Sequence, residues 1–153
     1  MAVHAIIGGG GIGSRMKNPV NKSFILLKGK PIIEYSLKLF QEHSGIDSIF
    51  VVMHKEWMKE LLEIVNRAHL TKIKRIVEGG KERQDSVRNA LHAMAELRPN
   101  PNDIVLVHNA VNPLITNELI DECIRAAQMN QASVAAYRVK DTIKRVQEDG
   151  KII

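Results

Sequence analysis

The sequence predicts an α/β fold: a Rossmann-like, mostly parallel sheet sandwiched by helices. Two observations carry this expectation. Short β-branched runs alternate with stretches of helical period along the chain, the pattern of strands joined by crossover helices. The first run, Val3 to Ile7, leads straight into a glycine-dense loop, at the edge where open α/β sheets present their ligand site. With 153 residues, 44% of them hydrophobic, the chain is expected to form one domain with a core of its own.

The elements follow in order. Val3–Ile7 reads as a buried strand. Pro31 stands where a helix accepts its first residue, and Ile32, Ile33, Leu37 and Phe40 mark that helix's apolar face. Ser48–Met53 is a second strand, and Trp57, Leu61, Ile64, Val65 and Ala68 trace the next helical stripe. Lys72–Val77 is a third strand, ending at Gly79-Gly80. A helix from about Glu82 to Leu97 carries Val87, Ala90, Leu91 and Met94 inward. Asp103–His108 is a strand, and Thr116 caps a helix holding Leu119, Ile120, Cys123 and Ile124. Ser133–Val139 reads as a further strand. Asp141–Val146, the turn Asp149-Gly150 and Lys151–Ile153 read as a β-hairpin arm cut short in its second half. The expectation is therefore a chain that stops inside a longer fold.

Composition narrows the class. A single cysteine, Cys123, leaves no internal disulfide and points to a reducing, cytoplasmic setting. No apolar run is long enough for a bilayer and no signal-peptide pattern opens the chain, so no membrane partner is expected. The net charge of +5 suits anionic small molecules. Scattered cations and 4% aromatic residues supply a nucleic-acid surface poorly.

Three stretches carry chemistry. In Gly8-Gly9-Gly10-Gly11-Ile12-Gly13-Ser14-Arg15, backbone N–H groups can approach a phosphate chain with no Cβ in the way. A dinucleotide fold would launch a helix from the last glycine. Here Pro19 breaks that helix and cations cluster instead, so the loop reads as one wrapped over a nucleoside triphosphate, with Arg15 and Lys22 aimed at the phosphates. In Gly79-Gly80-Lys81-Glu82-Arg83-Gln84-Asp85-Ser86-Val87, Arg83 and Ser86 sit one helical turn apart beside the apolar stripe. By spacing alone an ordinary glycine turn followed by a charged first turn is slightly favoured over a ligand site. In His108-Asn109-Ala110-Val111-Asn112-Pro113, polar residues end a strand at the same sheet edge, though such pairs are also ordinary loop punctuation. No G-x-S-x-G, H-E-x-x-H or C-x-x-C pattern occurs, and the six histidines are not paired at metal-ligand spacing.

Together these stretches resemble the polyol-phosphate cytidylyltransferases, the family of the 2-C-methyl-D-erythritol 4-phosphate and ribitol 5-phosphate enzymes. That family's A-A-G-x-G-x-R is matched by Gly9–Arg15, its P-K-Q-F by Asn21-Lys22-Ser23-Phe24, and its G-G-x-x-R-x-x-S-V by Gly79–Val87. Its D-T-[IM]-K is matched by Asp141-Thr142-Ile143-Lys144. The resemblance implies a nucleotide-diphospho-sugar transferase type of fold and cytidylyl transfer from CTP to a polyol phosphate, with pyrophosphate released. It implies that Gly9, Gly10, Gly11 and Gly13 hold the CTP phosphates and nucleoside, that Gly80, Lys81 and Ser86 read cytosine, and that Arg15 and Lys22 are catalytic. It further implies Mg²⁺ as the divalent cation, acceptor contacts at Asn109, Asn112 and Thr142, and a homodimer through the C-terminal arm.

The chain departs from the pattern at H-D-[AS]-[AV]-R-P, where Asn109 replaces the aspartate and Asn112 the arginine. Asn109 offers Mg²⁺ a neutral oxygen only, and Asn112 cannot clamp a phosphate with two prongs. Gln84–Val87 and Asp141–Lys144 favour methylerythritol phosphate as acceptor, whereas Val111 and the tract His54–Trp57 favour ribitol phosphate. A non-catalytic nucleotide-binding relative stands as the alternative. A nicotinamide-dependent dehydrogenase is disfavoured by Pro19 and by the missing acidic residue after a second strand.

Overall fold

The computed structural model describes residues 1–9 and 21–152. Four strands, β1 (Val3–Gly8), β4 (Ser48–Met53), β5 (Ile73–Glu78) and β6 (Ile104–Asn109), form one sheet in the order β5-β4-β1-β6. Every neighbouring pair in it is parallel. Between them lie a two-residue hairpin, β2 (Leu26–Leu27) and β3 (Lys30–Pro31), and helices α1 (Ile32–Glu42), α2 (Met58–Arg67) and α3 (Arg83–Ala95). Helix α4 (Asn117–Asn130) follows β6.

Parallel strands buried on both faces need apolar residues at nearly every position, and β4, Ser-Ile-Phe-Val-Val-Met, is buried from end to end. Its alternation divides the core. Ile49, Val51 and Met53 join Ala5 and Ile7 of β1 against Ile33, Leu37 and Phe40 of α1, Leu61 and Ile64 of α2, and Ile120 and Ile124 of α4. Ile6, Phe50 and Val52 face the other way, onto Ala90 and Met94 of α3. Truncating a fully buried residue such as Phe50 to alanine costs about 3–5 kcal/mol in comparable cores.

The N-terminal edge of the sheet is closed by carboxylates. Asp47 Oδ2 accepts the Val3 N–H at 2.7 Å and Asp103 Oδ1 accepts the Ala2 N–H at 2.6 Å. These contacts pin the incoming chain and the register of β1. The backbone N–H of Ala2, more than any other group, holds Asp103 below the usual carboxylate range.

The structure corrects several expectations. Pro31 ends β3 and precedes α1 instead of opening the helix. The helix after β4 begins with a separate 3-10 turn at Lys55–Trp57. Leu91 is exposed on α3, whose Ala90 and Met94 are buried against the sheet with Val87 and Ala93 packed beside them. Ser133–Val139 is no strand: α4 ends at Gln131 in the left-handed region (φ 67°), and the chain beyond it is exposed throughout. A strand needs a ladder partner, and this stretch pairs with none among the described residues. Of the arm, the turn survives, with Gln147 N–H donating to the Lys151 carbonyl at 2.8 Å, but the pairing shrinks to a single Val146–Ile152 bridge.

One buried charge joins two helices. Glu34 of α1, 3% exposed, receives Arg67 Nη2 at 2.6 Å and Lys38 Nζ at 3.0 Å. Burial alone would raise this carboxyl; the hydrogen bonds from Lys38 and Arg67 outweigh it and hold it below its usual range. A depressed carboxyl contributes stability above its unfolded pKa and loses it as pH falls through the folded one. Arg67→Ala should therefore destabilise the protein by about 1 kcal/mol at pH 7. Urea denaturation at a series of pH values should show that difference shrinking as the carboxyl protonates.

Candidate functional site

All four parallel strands end at one edge, since Gly8 stands opposite both Val52 and Asn109 and Met53 stands opposite Glu78. The chain runs from β1 outward to β4 and β5, then returns to β6 on the other side of β1. That reversal makes the carboxyl edge beside β1 a topological switch point, where open sheets hold ligands. A cleft of about 640 Å³ lies there.

The first wall is the end of β1. Gly9 extends the ladder one step past the strand, its N–H donating to the Val52 carbonyl at 2.8 Å. A Cβ on Gly9 would lie 2.7 Å from Met53 Cε and 3.2 Å from Ser23 Oγ, so a side chain there would have to displace the end of Met53. Asn21 is buried and caps the 3-10 turn Lys22–Phe24 by accepting the Ser23 N–H at 2.9 Å. Its amide reaches the Gly9 carbonyl at 3.4 Å. Lys22 thus stands at the cleft on a turn whose next residue, Ser23, is buried and whose Phe24 stacks on Trp57 at 5.1 Å.

The opposite wall is Gly79 to Val87. The Gly79 N–H donates to the Met53 carbonyl, fixing the turn to β4. Ser86 Oγ accepts the Gly80 N–H at 3.0 Å and donates to the Glu82 carbonyl at 3.1 Å. Glu82 and Asp85 form a reciprocal capping box at the start of α3. A Cβ on Gly80 would lie 2.3 Å from Asp85 Cβ, so the turn closes only with glycine.

The third wall is His108 and Asn109. The His108 ring packs on Phe40 at 5.2 Å. Burial lowers its pKa below the usual imidazole range against an opposing backbone hydrogen bond with Asn112, so it is neutral at pH 7. Its Nε2 is buried without a hydrogen-bond partner among the described residues. Asn109 Oδ1 accepts the Val111 N–H at 3.4 Å, an Asx turn that shapes the loop.

Four cations, Lys22, Lys55, Lys81 and Arg83, line this cleft together with Glu78 and Glu82. None of the four forms an ion pair with a described carboxylate. Such an arrangement favours an anion. It favours a metal ion less: no three His, Cys, Asp or Glu residues converge among the described residues, and the Asn109 oxygen is neutral and already used by the loop. Among the described residues the cleft thus offers no three-carboxylate cage of its own for Mg²⁺.

Of the residues expected from the sequence, Gly9, Lys22, Gly80, Lys81, Ser86 and Asn109 meet at this cleft. Asn112 is exposed on the same loop, outside the lining, and Thr142 lies on the exposed stretch after α4. Gly10, Gly11, Gly13 and Arg15 lie outside the described residues. Sequence reasoning gave no role to Asn21, and treated His54 and Lys55 only as part of a tract. Asn21 could have been found as an Asx cap two residues before a buried serine; Lys55 needs the strand order.

The fold and cleft define an α/β protein of nucleotidyltransferase-like architecture, with its ligand edge built from glycine turns and free cations. The family model described as 2-C-methyl-D-erythritol 4-phosphate cytidylyltransferase matches residues 3–153, and the chain belongs to that family. It is 42% identical over 147 residues to the Clostridium novyi 2-C-methyl-D-erythritol 4-phosphate cytidylyltransferase, covering 95% of this chain and 62% of that protein. The Syntrophotalea carbinolica protein of the same name is 39% identical over 153 residues, covering 99% of this chain and 64% of the relative. Among solved structures, the 4-diphosphocytidyl-2C-methyl-D-erythritol synthase of Anaerococcus prevotii superposes with a TM-score of 0.81 at 28% identity, over 99% of this chain and 61% of the other. The chain thus spans about three-fifths of the length of the relatives it matches.

The two close-packed glycines differ from Gly8, whose added Cβ would meet only the His108 carbonyl at 3.7 Å. Gly80→Ala should lower the melting temperature by several degrees, the result of about 1–3 kcal/mol of overpacking. Gly8→Ala should leave it within about a degree. Thermal melts of the two variants side by side check this.

Proposed function

We propose that this chain serves cytidylyl transfer from CTP to a polyol phosphate, giving a CDP-polyol and pyrophosphate, with 2-C-methyl-D-erythritol 4-phosphate as the first acceptor to test. The observation that supports it best is the convergence at one edge of Gly9 and the Lys22 turn with Gly79–Ser86, among cations that no described carboxylate neutralises. The names of the relatives agree with this reading.

The reaction needs little covalent help from protein. An acceptor phosphate oxygen, already anionic, attacks the α-phosphorus. The bond from that phosphorus to the bridging oxygen breaks, and pyrophosphate leaves with the electron pair. No base is required; positioning and positive charge at the crowded phosphorus are. Lys22 is suited to that charge, and Arg15 joins it in this reading. Gly80, Lys81 and Ser86 would read the cytosine edge. The nucleotide would bring its divalent cation with its own phosphates, where it offsets their charge. Ribitol 5-phosphate is the alternative acceptor. A non-catalytic nucleotide-binding relative is the second reading, favoured by Asn109 and Asn112 in the acceptor loop. We further read the protein as cytoplasmic, with its exposed C-terminal stretch serving a homodimer.

Pyrophosphate release from CTP, measured against both polyol phosphates, tests the activity. Lys22→Ala should lower kcat about a hundredfold with CTP binding little changed, because a charged contact made chiefly in the transition state is worth about 3–4 kcal/mol. Normal turnover in that variant would make the turn a solvated surface feature. Calorimetry should also show CTP binding at least about tenfold more tightly than UTP, whose base leaves a polar group unpaired at a cost of about 1–3 kcal/mol.

A further inference from the structure

We propose that Lys55 is a phosphate-binding residue of this cleft, a role that motif reading does not give it. The argument starts from strand order. Gly9 at the end of β1 and the Gly79–Ser86 turn after β5 do not belong to adjacent strands; β4 lies between them. With strands about 4.8 Å apart, the two segments are separated by roughly 9.5 Å. A nucleotide with its base at one and its phosphates at the other must pass over the end of β4. That end is His54-Lys55.

Three features place Lys55 for the purpose. It follows a strand buried at every position, so its backbone is anchored to the centre of the sheet. Its own 3-10 turn is capped by the His54 side chain, which accepts the Glu56 N–H at 3.4 Å. The turn closes on Trp57, whose ring stacks on Phe24 at 5.1 Å. The stack braces the Lys55 turn against the Lys22 turn, so two cation-bearing turns enter the cleft from one side as a unit. The neighbouring carboxylate, Glu56, is directed to His54 at 3.7 Å, and Lys55 pairs with no described carboxylate. An exposed lysine on a braced turn, lining one cleft with Lys22, Lys81 and Arg83, adds to a positive field that favours an anionic ligand. Lysine acts on phosphate as a point charge that tolerates varied geometry, which suits the span between base and phosphates.

The inference rests on the nucleotide reading, and the test separates the two. Calorimetric titrations with CTP, cytidine and inorganic tripolyphosphate are made on the parent, Lys55→Gln and Lys55→Arg. Lys55→Gln should weaken CTP and tripolyphosphate by about tenfold, the usual scale of a charged hydrogen bond, and leave cytidine within about twofold. Lys55→Arg should restore most of the loss. Because Lys55 is exposed, the variants should melt with the parent. Unchanged CTP affinity in Lys55→Gln, or an equal loss for CTP and cytidine, overturns the assignment. A parent that binds tripolyphosphate through Lys55 but not CTP upholds the assignment and overturns the cytidine reading. A parent that binds neither overturns both before any variant is needed.

Discussion

The pairing of β1 with a parallel strand on each side constrains everything else in this molecule. It sets the register in which Gly8 meets Val52 and Asn109, and so brings three strand ends to one level. A slip of one residue would exchange Ala5 and Ile7 with Ile6 across the sheet. Those residues fill two cores of unequal size, one under three helices and one under α3 alone. The Asp47 and Asp103 carboxylates prevent the slip from the other end by holding Val3 and Ala2. The sheet is thus locked at its N-terminal edge and relieved at its carboxyl edge. There Gly9 is the last described residue of the ladder, close against Met53 and Ser23.

Charge is distributed according to the same division. Two acidic groups near the carboxyl edge are engaged at the start of α3: Asp85 accepts the Glu82 N–H at 3.1 Å and meets Arg88 at 3.6 Å, and Glu82 completes the capping box. Carboxylates spent on a helix terminus are poor partners for mobile lysine heads. Lys22, Lys55, Lys81 and Arg83 therefore keep their charge for whatever enters the cleft. The buried carboxylate that does take cations, Glu34, lies away from this edge and holds α1 to α2.

The sequence and the structure agree where one residue pattern has one physical meaning. Val3–Ile7 and Ser48–Met53 could only be strands buried on both faces, and Thr116 caps α4 as its type predicts, through the Leu119 N–H at 3.3 Å. Gly79–Val87 was legible as a turn and helix start because the glycine pair and the serine sit at fixed offsets. The hairpin at Leu26–Pro31 was not, since its strands are two residues long and its turn relies on Lys28 and Gly29 at positive φ. Ser133–Val139 has strand composition, but pairing is a property of two segments and its partner is not encoded within it. Lys55 escaped for a related reason: its neighbours across the sheet are set by strand order, which no local pattern reveals.

The loop after β6 shows how a structural and an electrostatic role can come apart at one position. Asn109 closes its Asx turn by accepting the Val111 N–H, and the loop is held further by the Asn112 N–H to the Asn109 carbonyl at 3.0 Å and by Ser36 Oγ to the Ala110 carbonyl at 3.2 Å. An aspartate would close the same turn with the same oxygen. Its replacement by asparagine therefore leaves the loop's architecture intact while removing a negative charge from the cleft. Asn112 is exposed and its side chain carries no part of this framework. Neither asparagine is required by folding. Asn109 sets the charge that the β6 end presents to the cleft, while Asn112 lies outside the cleft lining.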